Sequence, residues 1–137
     1  METMNPQTLS PPVMNLYSQI AIAPAGRLAF VAGQVAVNAD GELIGAGDHG
    51  AQAKQALTNI RLAMEAVGAE PSDIVQMKLY VVDHDPSLIE PIMAGAGKAV
   101  FGSDWPLCAS TYIGVEKLGL PDWLIEIDAV ICVPEQP

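Results

Sequence analysis

Residues 48–68, DHGAQAKQALTNIRLAMEAVG, decide the fold class of this chain. Asp48 is a good N-cap, since its side chain can accept a hydrogen bond from a free N–H of a first helical turn. Ala53, Leu57, Ile60, Met64 and Val67 then step by four and three, which draws one apolar stripe along a helix. Gly68 is a natural C′ residue and ends it. The spacing therefore predicts a helix from Asp48 to about Val67 with a single face to bury.

What that face covers is read from the flanks. Downstream, Pro71 and Ser72 turn the chain, and Val75, Met77, Leu79 and Val81 alternate with Ile74, Gln76, Lys78, Tyr80 and Val82. That is a strand buried mainly on one side. Asp85 followed by Pro86 resembles a helix start, with Pro at the first helical position. Pro91, Gly95 and Gly97 make this second helix weak or broken before Phe101. Gly102 to Pro106 reads as a loop. Ala109 to Val115 and Trp123 to Val133 read as two more strands, parted by a turn around Gly119 and Pro121.

Upstream, Tyr17 to Ala23 and Arg27 to Val37 read as strands joined at Pro24-Ala25-Gly26, an expected hairpin. Gly33 interrupts the second of them, as glycine does at a bulge or a close approach. Asn38 to Gly41 is a turn. Residues 1–15 read as an N-terminal tail or surface arm, being polar and carrying Pro6, Pro11 and Pro12. Residues 16–137 form one domain. The element order predicts an α+β fold, a mixed sheet with two helices on one face. Its other face has no cover from the same chain, which calls for a partner subunit.

Composition agrees. Of 137 residues, 50% are hydrophobic and only 16% charged, against a usual charged share of about 25%. Six Lys and Arg face sixteen Asp and Glu, a formal net charge of −10. This argues against a nucleic-acid partner, which needs clustered basic groups. Cys108 and Cys132 belong to no CxxC pair, and His49 and His84 are far from them, so no structural zinc site is expected. Met1 to Pro12 does not read as a signal peptide. No apolar run reaches the ~20 residues of a membrane span, so no membrane partner is expected. The default compartment is the cytoplasm, with reduced thiols.

Several short stretches together resemble the RidA/YjgF family of reactive-intermediate deaminases. They are Tyr17-Ser18-Gln19, Phe30-Val31-Ala32-Gly33-Gln34, Gly41-Glu42-Leu43, Gln55-Ala56-Leu57 with Asn59-Ile60, Gly68, Ala109-Ser110-Thr111 and Ile125-Glu126-Ile127. The likeness runs from about Tyr17 to Val133. It implies a chorismate-mutase-like fold assembled as a homotrimer, with clefts between neighbouring subunits. It also implies hydrolysis of enamines or imines to ammonia and a keto acid without a cofactor. Glu126 stands in the frame of the family's water-handling carboxylate. The family's carboxylate-gripping arginine is absent, because Ala109 precedes Ser110. Ala32 stands where a serine is common, and Thr111 near where a cysteine falls.

The expected site is then Glu126 as the catalytic carboxylate, with Tyr17, Gly33, Gln34, Ser110 and Thr111 binding a ligand and no metal. A carboxylate in a partly buried cleft suits general acid/base work on water. Each residue has a plainer reading. Glu126 alternates with Ile125 and Ile127 and could belong to a solvated sheet face. Tyr17 could pack on a neighbour. Ser110 and Thr111 could satisfy local backbone groups. Cys108 reads as a small buried apolar residue. Asp83-His84-Asp85 reads as a surface loop and a weak metal candidate, and Lys117 and Arg27 as surface charges. Three functions are in play: a Rid-like enzyme acting on a small molecule that lacks an α-carboxylate, a non-catalytic ligand-binding or regulatory trimer, and a ribonuclease, which the charge disfavours.

Overall fold

The fold is described from a computed structural model, for residues 1–135. Helix α1 spans His49–Ala66, and the Asp48 carboxylate accepts from the Ala51 N–H at 3.0 Å. Ala69 N–H bonds back to the Met64 carbonyl at 3.1 Å and closes its end. The stripe of the helix is buried: Ala53, Leu57 and Ile60 are inaccessible and Met64 nearly so.

That stripe lies on a four-stranded sheet. Its strands are β3 (Leu28–Val35), β4 (Ile74–Val82), β5 (Ala109–Val115) and β6 (Ile125–Cys132), in the order β3-β6-β4-β5. β6 runs antiparallel to both β3 and β4, whereas β4 and β5 are parallel. A parallel pair needs a long crossover, supplied by the segment between Pro86 and Asp104. Ile125, Ile127, Ala129 and Ile131 of β6 and Met77, Leu79 and Val81 of β4 meet α1 in one core. Gln52 is fully buried among them. Its amide donates to the Asp122 carbonyl at 3.0 Å and accepts from the Leu124 N–H at 2.9 Å, tying the helix to the entry of β6.

Two expectations need correction, the first hairpin and the alternation of β4. The hairpin of Tyr17–Ala23 with Arg27–Val37 does not form. Only Ile20–Ile22 is a strand there (β2), and it pairs with β1 (Glu2–Met4), so the N-terminal arm contributes a strand. β3 pairs instead with the eight-residue β6. A long ladder over an apolar strand outweighs a short local one that ends at Pro24, which has no N–H to share. The second helix is broken, as its Pro91, Gly95 and Gly97 predict, into three pieces: a 3-10 turn Pro86–Leu88, a π-helical segment Glu90–Ala96, and α2 (Gly97–Phe101). Pro91 and the glycines weaken regular α geometry here, as their propensities require. Finally, β4 carries a register shift between Ile74 and Gln76. Ile74 is thereby buried while Val75 is not, which breaks the strict alternation at the start of that strand.

The helices cover one sheet face. The other carries Leu28 and Phe30 of β3, Tyr80 of β4, Ile113 of β5, and Glu126, Asp128 and Val130 of β6, as the cross-strand partners show. Phe30 is 77% exposed, Leu28 45% and Ile113 37%. The Gln52 bridge gives a direct test of the core. Gln52→Ala removes both bonds from the half-buried entry of β6 and opens a cavity where the buried side chain stood, which should lower stability by roughly 2–4 kcal/mol. Urea denaturation at fixed protein concentration measures it.

Candidate functional site

Glu126 sits opposite Val35 on one side and Tyr80 on the other. The ladder between β3 and β6 slips between Val31 and Gln34, so Gly33 lies in a bulge. A Cβ built on Gly33 would lie 2.7 Å from both Cδ and Oε2 of Glu126. The carboxylate therefore occupies the space that any other side chain at position 33 would fill. Among the described residues it accepts no side-chain hydrogen bond and joins no salt bridge, and Glu126 is half-buried.

Its neighbour is bound differently. Tyr80 donates its hydroxyl to Asp128 Oδ2 at 3.0 Å. Burial pushes the Tyr80 phenol above its usual range, and the hydrogen bond to Asp128 and the charges of Asp128 and Glu126 push it further. Two carboxylates thus stand on one face of β6, roughly 7 Å apart along the strand. One is held by a phenol and the other is free.

A second concavity, of about 300 Å³, lies on the helix side of β5. Its apolar walls are Val13, Leu16, Ile89 and Met93, and its hydroxyls belong to Tyr17, Ser110 and Tyr112. Met93 comes from the π-helical segment. Leu16 is held by Trp105, whose Nε1 donates to the Leu16 carbonyl at 2.8 Å. Trp105 in turn packs over Gly97, where a Cβ would lie 2.6 Å from its ring. Ser18 is buried, and its Oγ donates to the Leu107 carbonyl while its N–H donates to that of Cys108. The segment 16–18 is therefore fastened along the start of β5. Outside the chamber, His84 Nδ1 lies 3.2 Å from the Tyr112 hydroxyl, and the two rings meet edge to face at 5.0 Å. Burial pushes the Tyr112 phenol up to about 12.

The structure brings Gly33 next to Glu126, and Tyr17 next to Ser110, but it puts the two pairs on opposite faces of the sheet. Ser110 pairs with inward-facing Met77, and Glu126 with outward-facing Tyr80. β6 and β5 are also separated by β4, roughly 10 Å across the sheet. Thr111 is exposed on the Glu126 face beside Lys78. Gln34 turns its amide back to the Ala32 carbonyl at 3.0 Å. Cys108 is buried and its thiol is pushed up by that burial, which leaves little nucleophilic thiolate. Lys117 lines a different groove, with Val82 and Trp123. Among the described residues no group of three or more His, Cys, Asp or Glu is arranged to hold a metal, and no helix is long and apolar enough to cross a membrane. Sequence reasoning missed the roles of Tyr80, Tyr112 and Met93. The signal for Tyr80 and Tyr112 was an aromatic residue at an alternate position of a strand; Met93, in the π-helical segment, gave none.

The comparisons bear on the family and the fold. The family model described as Endoribonuclease L-PSP matches residues 7–133. The RutC family protein PH0854 of Pyrococcus horikoshii is 32% identical over 123 residues, 88% of this chain and 90% of that protein. A 2-iminobutanoate/2-iminopropanoate deaminase of Dermatophagoides farinae is 28% identical over 91% of each. Among solved structures, the Rid-family protein YyfB of Yersinia pestis, of unknown function, superposes with a TM-score of 0.86 at 40% identity, covering 96% of this chain and 97% of that one.

Two outcomes test the geometry. Gly33→Ala should swing the Glu126 carboxylate away with little change in melting temperature, because the displaced atoms end a flexible side chain; a crystal structure of the variant reads this directly. In an alkaline ultraviolet titration, one phenol that Tyr112→Phe removes should ionise near 12. The folded value lies above the unfolded value of 10.0, so the fold favours the neutral phenol. That contribution to stability is whole below the unfolded value and is lost as pH rises toward the folded one.

Proposed function

Because the chain belongs to the Endoribonuclease L-PSP family, the YjgF/RidA proteins, we propose that it is a cofactor-independent hydrolytic deaminase of a reactive enamine, imine or related carbonyl compound. The protein works as a homotrimer in the cytoplasm. The uncovered sheet face of one subunit meets its neighbours, and each cleft combines Tyr17 and Ser110 of one protomer with Gly33, Gln34, Thr111 and Glu126 of another. One observation carries this reading: Glu126 is free while Asp128 is engaged by Tyr80, so a single unpaired carboxylate waits in a notch made for it by Gly33.

In the reaction, Glu126 takes a proton from water as its oxygen adds to the C=N carbon. The π electrons pass to nitrogen, which takes that proton from the Glu126 carboxyl and so regenerates the base. The resulting carbinolamine then expels ammonia and leaves a carbonyl product. An enamine first takes a proton on carbon to become the imine. A carboxylate-bearing substrate would need a basic anchor, and Ala109 supplies none. Lys78 stands on the Glu126 face, but no cation lines the chamber beside Tyr17 and Ser110, so the proposed substrate lacks an α-carboxylate. The net charge of −10 weighs against RNA as substrate. The lost arginine also favours a second reading, a trimer that binds a ligand without changing it.

Ammonia release decides between them. Neutral imines freshly generated beside short imino acids are offered to the native protein and to Glu126→Gln. Release from the neutral imines at least about a hundredfold faster than with the variant is expected, in line with general-base catalysis. Equal background release from both proteins, with a ligand that raises the melting temperature unchanged, would establish the binding trimer instead.

A further inference from the structure

None of the six Lys and Arg of the chain lines the chamber beside β5. Its walls are four apolar side chains and three hydroxyls. Its volume, about 300 Å³, is at the small end of the range for small-molecule pockets. Its surround is built rather than loose: Trp105 and Ser18 pin the segment that carries Leu16 and Tyr17. Tyr17 has no hydrogen-bond partner for its hydroxyl among the described residues. Tyr112 has one, outside the chamber, in His84 Nδ1. In the tautomer whose Nδ1 accepts, this bond uses the phenol's only proton, and Tyr112 Oη then presents lone pairs and no donor on its other side.

We propose that this chamber binds an uncharged ligand with an apolar or aromatic body and an N–H-bearing head, and that the Tyr112 hydroxyl, oriented by His84, reads that head. The proposal rests on the deaminase reading in that neutral imines and enamines present such an N–H. Tyr112 is a specificity-determining residue here. It sorts ligands by whether they can donate a hydrogen bond, and the absence of a cation rejects carboxylates, which would lose their hydration without a partner.

The test uses binding alone, on Glu126→Gln protein, so it stands whether or not Glu126 is the base. Benzamide, methyl benzoate and benzoate share one ring and differ in the head. They are titrated by NMR into the variant and into its double variants with Tyr112→Phe, His84→Phe and Met93→Trp. Benzamide should bind at least about tenfold more tightly than benzoate. Tyr112→Phe should weaken benzamide by about three- to tenfold, the range of one net hydrogen bond, and leave methyl benzoate unchanged. His84→Phe, at an exposed position, should shrink the preference for benzamide over methyl benzoate without a loss of fold. Met93→Trp should abolish binding of both neutral probes by filling the chamber. Benzoate binding as tightly as benzamide, equal loss of both neutral probes in Tyr112→Phe, or benzamide binding that survives Met93→Trp would overturn the assignment.

Discussion

A four-stranded sheet with helices on one side only is the constraint on which the rest of this structure depends. The helix face is closed by α1 against Leu79, Ile127 and Ile131, all inaccessible. The other face leaves Phe30 77% exposed and Leu28 and Ile113 largely so. Leu28 and Phe30 expose an apolar strip on the β3 edge, with Ile113 apart on the β5 edge, and such a strip is available to a partner. The same face holds Glu126, Asp128 and Tyr80 in cross-strand register. In the proposed trimer, the neighbour that covers this apolar strip also closes over the carboxylates and sets their access to water. Assembly and chemistry are in this account one event.

The two carboxylates of β6 show how little sequence separates a bonded acid from an unpaired one. Glu126 and Asp128 point the same way from the same strand. Asp128 is committed to a phenol, while Glu126 lies over a residue without a Cβ. A general base is useful only if its lone pairs are free to take a proton from water. The Gly33 bulge keeps Glu126 in that state, and Tyr80 keeps Asp128 out of competition.

The helix α1 was legible because cap, stripe and terminator agreed, and agreement across levels is what specifies a fold. Glu126 and Gly33 were legible as an alternating strand acid and a strand glycine. The partnership of β3 was not. The Pro24-Ala25-Gly26 turn is a local signal, and nothing local shows that a longer apolar strand near the C-terminus competes for the same edge. The π-helical segment was visible only as weakness, since Pro91, Gly95 and Gly97 spoil an α-helix without saying what replaces it. The contacts of Tyr80 with Asp128 and of Tyr112 with His84 join residues 48 and 28 positions apart. They depend on inter-strand register and on the course of the loop after β4, which one sequence does not display. The likeness to family members put Tyr17 and Ser110 near Glu126; within one chain they lie across the sheet from it, and the proposed shared cleft would reunite them.

The solution mass of the protein tests this account most directly. Light scattering on the native protein and on Phe30→Asp should give three chains for the first and single folded chains for the second, because a carboxylate at the most exposed point of the open face blocks its burial. A native protein that scatters as one chain, across the concentration range in which it is folded, would contradict the account at its root.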